Sequence, residues 1–194
     1  DEEAQSIQEQ SLERILDEAQ RAGRIVKSIL RFARHESTTK WREDLGSVVR
    51  RSVELVRPYV TERGGTLSID AAAEALPVLM SPIELEQMMV NLIRNAAESG
   101  AEGTEIVVST RSTEGTAVLE IRDNGRGIPS EVRSQVFDPF YTTRLREGGS
   151  GLGLAVVHGI VTDHRAQIDI QSEEGEGTCV RIRFPLEEGE APLG

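Results

Sequence analysis

Apolar residues recur at helical spacing along the first 36 residues of the chain. From Leu12 to Ala33 they follow one another at alternating intervals of three and four positions, which is the heptad spacing of a helix that packs lengthwise against other helices. Such a helix cannot bury its apolar stripe alone. We therefore expect residues 1–36 to form a long bundle helix that needs a partner, followed by a polar linker over residues 37–43.

The rest of the chain alternates between helical and strand periodicity, which predicts a separate domain over residues 44–186 and a disordered tail over residues 187–194. Helices are expected at 44–63, 82–99 and 151–163. Strands are expected at 67–70, 77–80, 104–111, 116–123, 166–172 and 178–185, of which the last four form two hairpins. This mixture predicts the α+β class, arranged as a two-layer α/β sandwich.

The charge balance narrows the function classes. The 194 residues carry 33 acidic and 22 basic side chains, a formal net charge of −11, whereas a general nucleic-acid binder needs a basic surface. Cys179 is the single cysteine, so an internal disulfide framework is excluded and a reduced, cytosolic setting is expected. Lys27 and Lys40 are the only lysines, so beyond residue 40 arginine or histidine must supply positive charge.

Two asparagines in the predicted helix over 82–99 need an explanation. Asn91 and Asn95 are four positions apart and so share one face, although asparagine is a mediocre helix residue. They could form a solvated polar face or bond to a neighbouring helix. Alternatively, their amide oxygens could face a hard cation such as magnesium.

An aspartate closes the predicted strand over 116–123. The segment 123–129, Asp-Asn-Gly-Arg-Gly-Ile-Pro, has the composition of a tight turn. The carboxylate of Asp123 stands where the strand opens into irregular chain, and it could instead accept a hydrogen bond from an exocyclic amine of a base.

The segment between residues 137 and 154 combines aromatic residues and glycines. Phe137, Phe140 and Tyr141 could anchor a loop on the core. Four glycines within residues 148–153 then directly precede a predicted helix, where backbone amides and the helix dipole could meet phosphate groups. Taken alone, a glycine-rich loop is a weak signal. Thr178, after the turn at 174–177, is the residue there best suited to contact a ligand.

Five motifs together resemble the boxes of sensor histidine kinases, and they occur in the same order. They are Asn-Leu-Ile-Arg-Asn-Ala (91–96), Asp-Asn-Gly-Arg-Gly-Ile-Pro (123–129), Phe-Asp-Pro-Phe-Tyr-Thr-Thr (137–143), Gly-Ser-Gly-Leu-Gly-Leu (149–154) and Gly-Glu-Gly-Thr (175–178). Over about residues 41–186 the chain is similar to the catalytic ATP-binding domain of these kinases, especially the nitrogen-regulation type. The resemblance implies the Bergerat-type fold of the gyrase, Hsp90, histidine kinase and MutL superfamily.

The resemblance also implies roles for single residues. Asp123 would bind the adenine amino group with Thr178 nearby, and Asn91 and Asn95 would face the phosphates and magnesium. Residues 137–149 would form a mobile lid. The implied nucleotide-binding set is Asn91, Asn95, Asp123, Gly125, Gly127, Ile128, Phe137, Phe140, Thr142, Thr143, Arg144, Gly149, Ser150, Gly151, Leu152, Gly153, Leu154 and Thr178.

Two departures from the family pattern bear on how the phosphates are held. Arg144 stands where related kinases often have lysine, and Glu98-Ser99 stand where many have lysine or tyrosine. The candidate cations of the domain are Arg94, Arg126, Arg144 and Arg146. In the wider superfamily a glutamate often occupies the position of Asn91, and an amide is no general base. Asn91 therefore favours keeping the γ-phosphoryl for transfer over hydrolysis.

The function implied is that of an ATP- and Mg²⁺-dependent protein-histidine kinase in two-component signalling. Residues 1–36 resemble the second helix of the dimerisation and phosphotransfer hairpin, whose first helix carries the acceptor histidine and is absent here. His35 lies at the wrong end to replace it. The implied partners are a response-regulator receiver domain, the missing acceptor helix in cis or in a partner protomer, and a second copy of the full-length protein.

The resemblance implies a cytoplasmic protein, whether or not the parent protein is anchored in a membrane. Two alternatives stay open on the same fold. They are a serine kinase of the anti-sigma type and a nucleotide-binding module without transferase activity.

Overall fold

The computed structural model describes residues 39–100, 103–143 and 149–186, together with Gly23. The elements in chain order are β1 (Trp41–Asp44), α1 (Leu45–Thr61), β2 (Thr66–Asp70), β3 (Pro77–Met80), α2 (Pro82–Ala97), β4 (Glu105–Thr113), β5 (Thr116–Asp123), a 3₁₀ helix (Ser130–Gln135), α3 (Gly153–Asp163), β6 (Gln167–Glu173) and β7 (Gly177–Pro185). The predicted bundle helix over 1–36, apart from Gly23, and the predicted tail over 187–194 lie outside the described residues.

A five-stranded sheet in the order β2-β4-β5-β7-β6 forms one layer. Strand β2 runs parallel to β4, and the other neighbouring strands are antiparallel. Helices α1, α2 and α3 form the second layer, and the core lies between the layers. Its fully buried side chains include Met88, Met89, Ile93, Ile106, Leu119, Ile160, Ile182 and Phe184. The expected two-layer α/β sandwich is confirmed.

The predicted linker over 37–43 is wrong at its end, because Trp41–Asp44 form strand β1. This strand pairs antiparallel with β3, with Trp41 opposite Met80. Its sequence, Trp-Arg-Glu-Asp, has no apolar alternation, and the pairing is with a segment more than 30 positions away. Residues 41–43 therefore belong to the folded domain. The 3₁₀ helix at Ser130–Gln135 was also not predicted.

Local signals explain where α2 begins. The Ser81 hydroxyl accepts a hydrogen bond from the Glu84 amide, and Pro82 occupies the first turn. The Ser81 amide donates to Nε2 of buried His164 at 3.0 Å, and Nδ1 of His164 lies 2.8 Å from the Ile160 carbonyl oxygen. Since burial lowers the pKa of His164, the ring stays neutral and joins the end of α3 to the start of α2.

A charged network crosses the outer face of the sheet. Arg111 on β4 donates to the Glu120 carboxylate on β5, with Nη2 to Oε1 at 2.9 Å, and Arg181 on β7 donates to the same group. The hydrogen bonds from Arg111, reinforced by Arg181 and opposed by burial, lower the pKa of Glu120 to about 2. The ionised carboxylate therefore links the three central strands.

This network makes the stability of the domain depend on pH. We expect Glu120→Gln to lower the free energy of unfolding by about 1–2 kcal/mol at pH 7, a value discounted because Arg111 is partly exposed. The folded-state pKa lies below the ordinary value of 4.5. The contribution is therefore fully present above about pH 4.5 and is lost as the pH falls toward 2.

Urea unfolding of both proteins between pH 3 and 7 measures this contribution. Glu174→Gln, in the exposed β6–β7 turn, is the matched control. A difference between Glu120→Gln and the parent chain that stays constant over this pH range contradicts the assignment.

Candidate functional site

A cleft of about 1670 Å³ lies between α1 and α2, the start of α3 and one end of the sheet. This volume exceeds the roughly 300–1,000 Å³ of most small-ligand pockets. Fourteen of the residues predicted to bind nucleotide line it. They are Asn91, Asn95, Asp123, Gly127, Ile128, Thr142, Thr143, Gly149, Ser150, Gly151, Leu152, Gly153, Leu154 and Thr178.

Three other predicted residues, Gly125, Phe137 and Phe140, are described by the structure and do not line this cleft. Gly125 is buried beneath it, where its amide donates to Asp123 Oδ1 at 2.9 Å. The ring of Phe137 packs against His158 with centroids 5.3 Å apart. Phe140 is 58% exposed, and its amide donates to the Gly151 carbonyl at 2.9 Å. Arg144 lies outside the described residues, so its role stays a prediction.

The position of Asp123 follows from strand alternation. Leu119, Ile121 and Asp123 project from the same side of β5, and this side faces the helices. The apolar row thus ends in a carboxylate that is only 7% exposed, at the edge of the cleft. A buried acid is costly unless hydrogen bonds satisfy it, so its surroundings indicate what it does.

Three groups direct hydrogens toward Asp123. The Gly125 amide donates to Oδ1 at 2.9 Å, and the Thr178 amide on neighbouring β7 also contributes. The Ser99 hydroxyl lies 3.0 Å from Oδ1 and 2.8 Å from the Ala96 carbonyl oxygen, so its single hydrogen is shared between these two acceptors. Burial raises the pKa of Asp123, and these hydrogen bonds offset part of that rise. The result is an oriented hydrogen-bond acceptor on the wall of the cleft. Ser99 was noted in the sequence only as a departure from the family pattern.

Ser172 on β6 holds the segments around this acid together, and sequence reasoning missed it. Its hydroxyl donates to the Gly177 carbonyl at 2.8 Å, accepts from the Ile128 amide at 2.8 Å and lies 2.9 Å from the Thr178 hydroxyl. Because its one hydrogen goes to Gly177, the Thr178 hydroxyl is the donor in the third contact. Ser172 stands opposite Thr178 in the β6–β7 register, which only the strand pairing reveals.

Glycine is required where the turn after β5 meets the turn before β7. Gly127 has φ +69°, and a Cβ there would collide with the carbonyl of Glu173. The Gly175 amide donates to the Arg126 carbonyl across the same contact at 2.8 Å. The motifs at 123–129 and 175–178, about 50 residues apart, therefore build one wall of the cleft.

Asn91 and Asn95 form part of the facing wall. Both side chains are partly buried and line the cleft. The amide of Asn95 lies 3.7–3.8 Å from the position a Cβ would take on Gly153, the first residue of α3. The N-terminus of α3 therefore points into the region beside the two asparagines. Oxygen ligands and a helix N-terminus in one place suit a phosphate group with a hard cation.

The glycine loop before α3 is held close to this wall. Gly151 has φ +66°, and a Cβ there would collide with the backbone of Phe140. Residues 149–154 line the cleft up to the helix. Their amides are therefore placed where the motif predicted phosphate contacts.

A second group of possible metal ligands lies outside the cleft. Ligand atoms of Glu84, Asp163 and His164 lie within 4.8 Å of one another. Both ring nitrogens of His164 are already engaged, and Lys40 forms an ion pair with Asp163. This group is a structural junction between α2 and α3.

Comparison with known proteins identifies the family. Residues 80–188, more than half of the chain, match the histidine kinase-, DNA gyrase B- and HSP90-like ATPase family. The chain belongs to this family, and the resemblance drawn from the motifs is confirmed. Among the residues the structure describes, no helix has the length and apolar character needed to cross a membrane.

Similar proteins include named sensor kinases. Sensor kinase CckA of Brucella abortus is 31% identical over 88% of this chain and 20% of its own length. Sensor histidine kinase ZraS of Escherichia coli is 31% identical over 87% of this chain and 36% of its own length. The chain therefore spans about a fifth to a third of these relatives.

Solved structures share the fold. The mycobacterial sensor histidine kinase MprB has a TM-score of 0.67 and 28% identity, covering 76% of this chain and 97% of the other. Full-length ShkA in complex with AMPPNP has a TM-score of 0.75 and 24% identity, covering 87% and 36%. Histidine kinase ThkA in complex with the response regulator TrrA has a TM-score of 0.73 and 22% identity, covering 89% and 49%.

The close contact at Gly127 yields a test of the cleft wall. Alanine at a left-handed position costs about 1–2 kcal/mol, and the collision with Glu173 adds about 1–3 kcal/mol of overpacking. We expect Gly127→Ala to lower the melting temperature well beyond Gly175→Ala, where φ is +84° and no atom lies within 4 Å of the added Cβ. Equal melting temperatures for the two variants would show that the turns do not depend on this contact.

Proposed function

We propose that this chain contains the catalytic ATP-binding region of a sensor histidine kinase of a two-component system. It binds Mg²⁺ and ATP and transfers the γ-phosphoryl to a histidine on a helix outside this sequence. A response-regulator aspartate then receives the phosphoryl group. The observation that carries the proposal is one cleft that joins a buried acceptor, Asp123, to an amide-bearing helix face and a glycine loop at a helix N-terminus.

Asp123 would recognise the base. A carboxylate held by Ser99, Gly125 and Thr178 is an oriented acceptor that matches the exocyclic amine of adenine. Its burial restricts competition from water, which strengthens the discrimination. The crystal structure of ShkA in complex with AMPPNP, which shares the fold, supports an adenine nucleotide as the ligand.

The phosphates would lie between α2 and the start of α3. The amide oxygens of Asn91 and Asn95 are hard ligands that suit Mg²⁺, and the amides of residues 149–154 suit phosphate oxygens. When bound, Mg²⁺ would neutralise charge on the phosphates. The protein residues then do the positioning, which supplies most of the catalysis expected for phosphoryl transfer.

Asn91 determines what the site does with the γ-phosphoryl. Its amide takes no proton from water, so the site lacks a base at this position. The phosphoryl group is therefore held for an incoming histidine nitrogen. The serine kinase of the anti-sigma type and the module without transferase activity stay as alternatives, and no observation on the structure favours either.

The partners follow from the reaction. The acceptor helix would be supplied in cis or by a partner protomer of a homodimer, and residues 1–36 would form the second helix of the same hairpin. The receiver domain of a response regulator is the final acceptor, as the complex of ThkA with TrrA illustrates for a protein of this fold. Since ATP is a cytoplasmic metabolite, we place the region in the cytoplasm, whether or not its parent is anchored in a membrane.

Phosphoryl transfer to a separate acceptor-helix hairpin tests this function. With γ-labelled ATP and Mg²⁺, we expect acid-labile label on a histidine of the hairpin. Asp123→Asn should give at least about tenfold less label, because a neutral amide accepts the hydrogen bond from the adenine amine more weakly than the carboxylate does. Asp70→Asn, at the exposed end of β2, is the control and should match the parent chain. Label on serine would support the anti-sigma alternative, and nucleotide binding without transfer would support the binding module.

The role of Asn91 is tested by hydrolysis without an acceptor. We expect Asn91→Glu to raise the steady-state release of phosphate from ATP by about 10- to 100-fold, since a positioned carboxylate can activate water. Asn91→Gln, which adds the same length without a base, should show no gain. If both variants release phosphate at the rate of the parent chain, the amide does not suppress hydrolysis.

A further inference from the structure

Four side chains from the C-terminal ends of α1 and α2 and the turns that follow them meet at one rim of the cleft, and all four line it. The Tyr59 hydroxyl donates to the carboxylate of Glu98, 39 positions further along the chain. The guanidinium carbon of Arg63 lies 3.8 Å from the centroid of the Tyr59 ring, and that of Arg94 lies 4.6 Å from it. We call this group the Tyr59 cluster: Tyr59, Arg63, Arg94 and Glu98.

Tyr59 contacts each of the other three side chains of the cluster. Its side chain is partly buried, and burial, together with the hydrogen bond to Glu98, raises its pKa. The phenol therefore keeps its proton at neutral pH and stays a donor. An aromatic ring that touches two guanidinium groups restrains both through cation–π contacts.

Glu98 would otherwise be unfavourable beside a polyanion. Positions 91, 95 and 98 fall on one stripe of the helix, which places this carboxylate next to the two asparagines. Its Oε1 accepts from Tyr59 and lies 3.7 Å from Nη2 of Arg94. The acid is therefore occupied, and its negative charge is offset by the arginine it holds.

The charge of the cleft points to the purpose of the two arginines. Its described lining contains four acids, Glu62, Glu86, Glu98 and Asp123, and three arginines, Arg63, Arg94 and Arg126. The backbone of Arg126 belongs to the turn at the Asp123 end, where its amide donates to the Ser99 carbonyl at 3.1 Å. Arg63 and Arg94 are the cations beside the asparagine stripe.

We propose that Arg63 and Arg94, held against Tyr59, form a cationic clamp that selects nucleotides with a polyphosphate chain. The clamp rests on the proposed function, because it presupposes a nucleotide in this cleft. Arg63 and Arg94 contact the phosphate oxygens beyond the α-phosphate. Tyr59 is a positioning residue that acts through them. Arginine suits this task since its planar group can stack on a ring and donate in its plane at the same time.

Binding of a nucleotide series to the full chain tests the clamp. Calorimetry with ATP and with AMP, at 50 and 200 mM salt, measures the preference for the longer phosphate chain. We expect Arg63→Gln and Arg94→Gln each to weaken ATP binding by about 3- to 10-fold, a modest factor since both guanidiniums are partly exposed, and to leave AMP binding within about twofold. The salt dependence of ATP binding should decrease in both.

Two further variants and a control separate a positioning role from general damage to the fold. Tyr59→Leu should lower the preference for ATP over AMP, as the arginine variants do. Arg94→Lys should keep part of the preference that Arg94→Gln loses. Arg122→Gln makes the same charge change on the exposed outer face of the sheet, so it should match the parent chain. The clamp is overturned if the arginine variants weaken ATP and AMP binding equally, or if Arg63→Gln and Arg94→Gln bind ATP as tightly as the parent chain. In either case, ATP binding by the parent chain leaves the proposed function standing. A parent chain that binds neither nucleotide overturns both.

Discussion

The structure depends on one carboxylate placed where a core strand ends. Asp123 continues the inward-facing row of β5, so the fold buries it as it buries Leu119 and Ile121. Burial raises its pKa, and donors from its own turn, from the end of α2 and from β7 hold it. The burial of this acid costs free energy and gives the domain no apolar packing. Its consequence is that one oriented acceptor faces the cleft.

The rest of the cleft is arranged around this acceptor by short-range packing. Glycines at 127 and 151 let two loops approach backbone with which a Cβ would collide, and Ser172 bonds at once to the turn after β5 and to the start of β7. On the other wall, α2 carries the asparagines and is fixed at its start by His164. The motifs are far apart in the chain, but sheet register and helix packing bring them to one place.

Much of the fold follows from periodicity in the sequence, and some does not. Strands β3 and β5 have the predicted bounds, because an apolar run before Ser81-Pro82 marks β3 and an alternating segment between turn residues marks β5. Strand β1 was missed since its mostly polar sequence shows neither pattern and its partner is distant. The order of the five motifs identified the family and fourteen residues of the cleft lining. Tyr59 and Ser172 could not be found this way, because their roles arise from contacts with segments 39 and 44 positions away.

Competition between two purines tests the central claim most directly. Inosine triphosphate has the same phosphates as ATP but carries an oxygen in place of the exocyclic amine, so it places an acceptor where Asp123 needs a donor. Calorimetry on the full chain should give ATP a dissociation constant at least about tenfold lower than that of inosine triphosphate. Equal affinities for the two nucleotides would contradict the account, since the buried carboxylate would then not be reading the base.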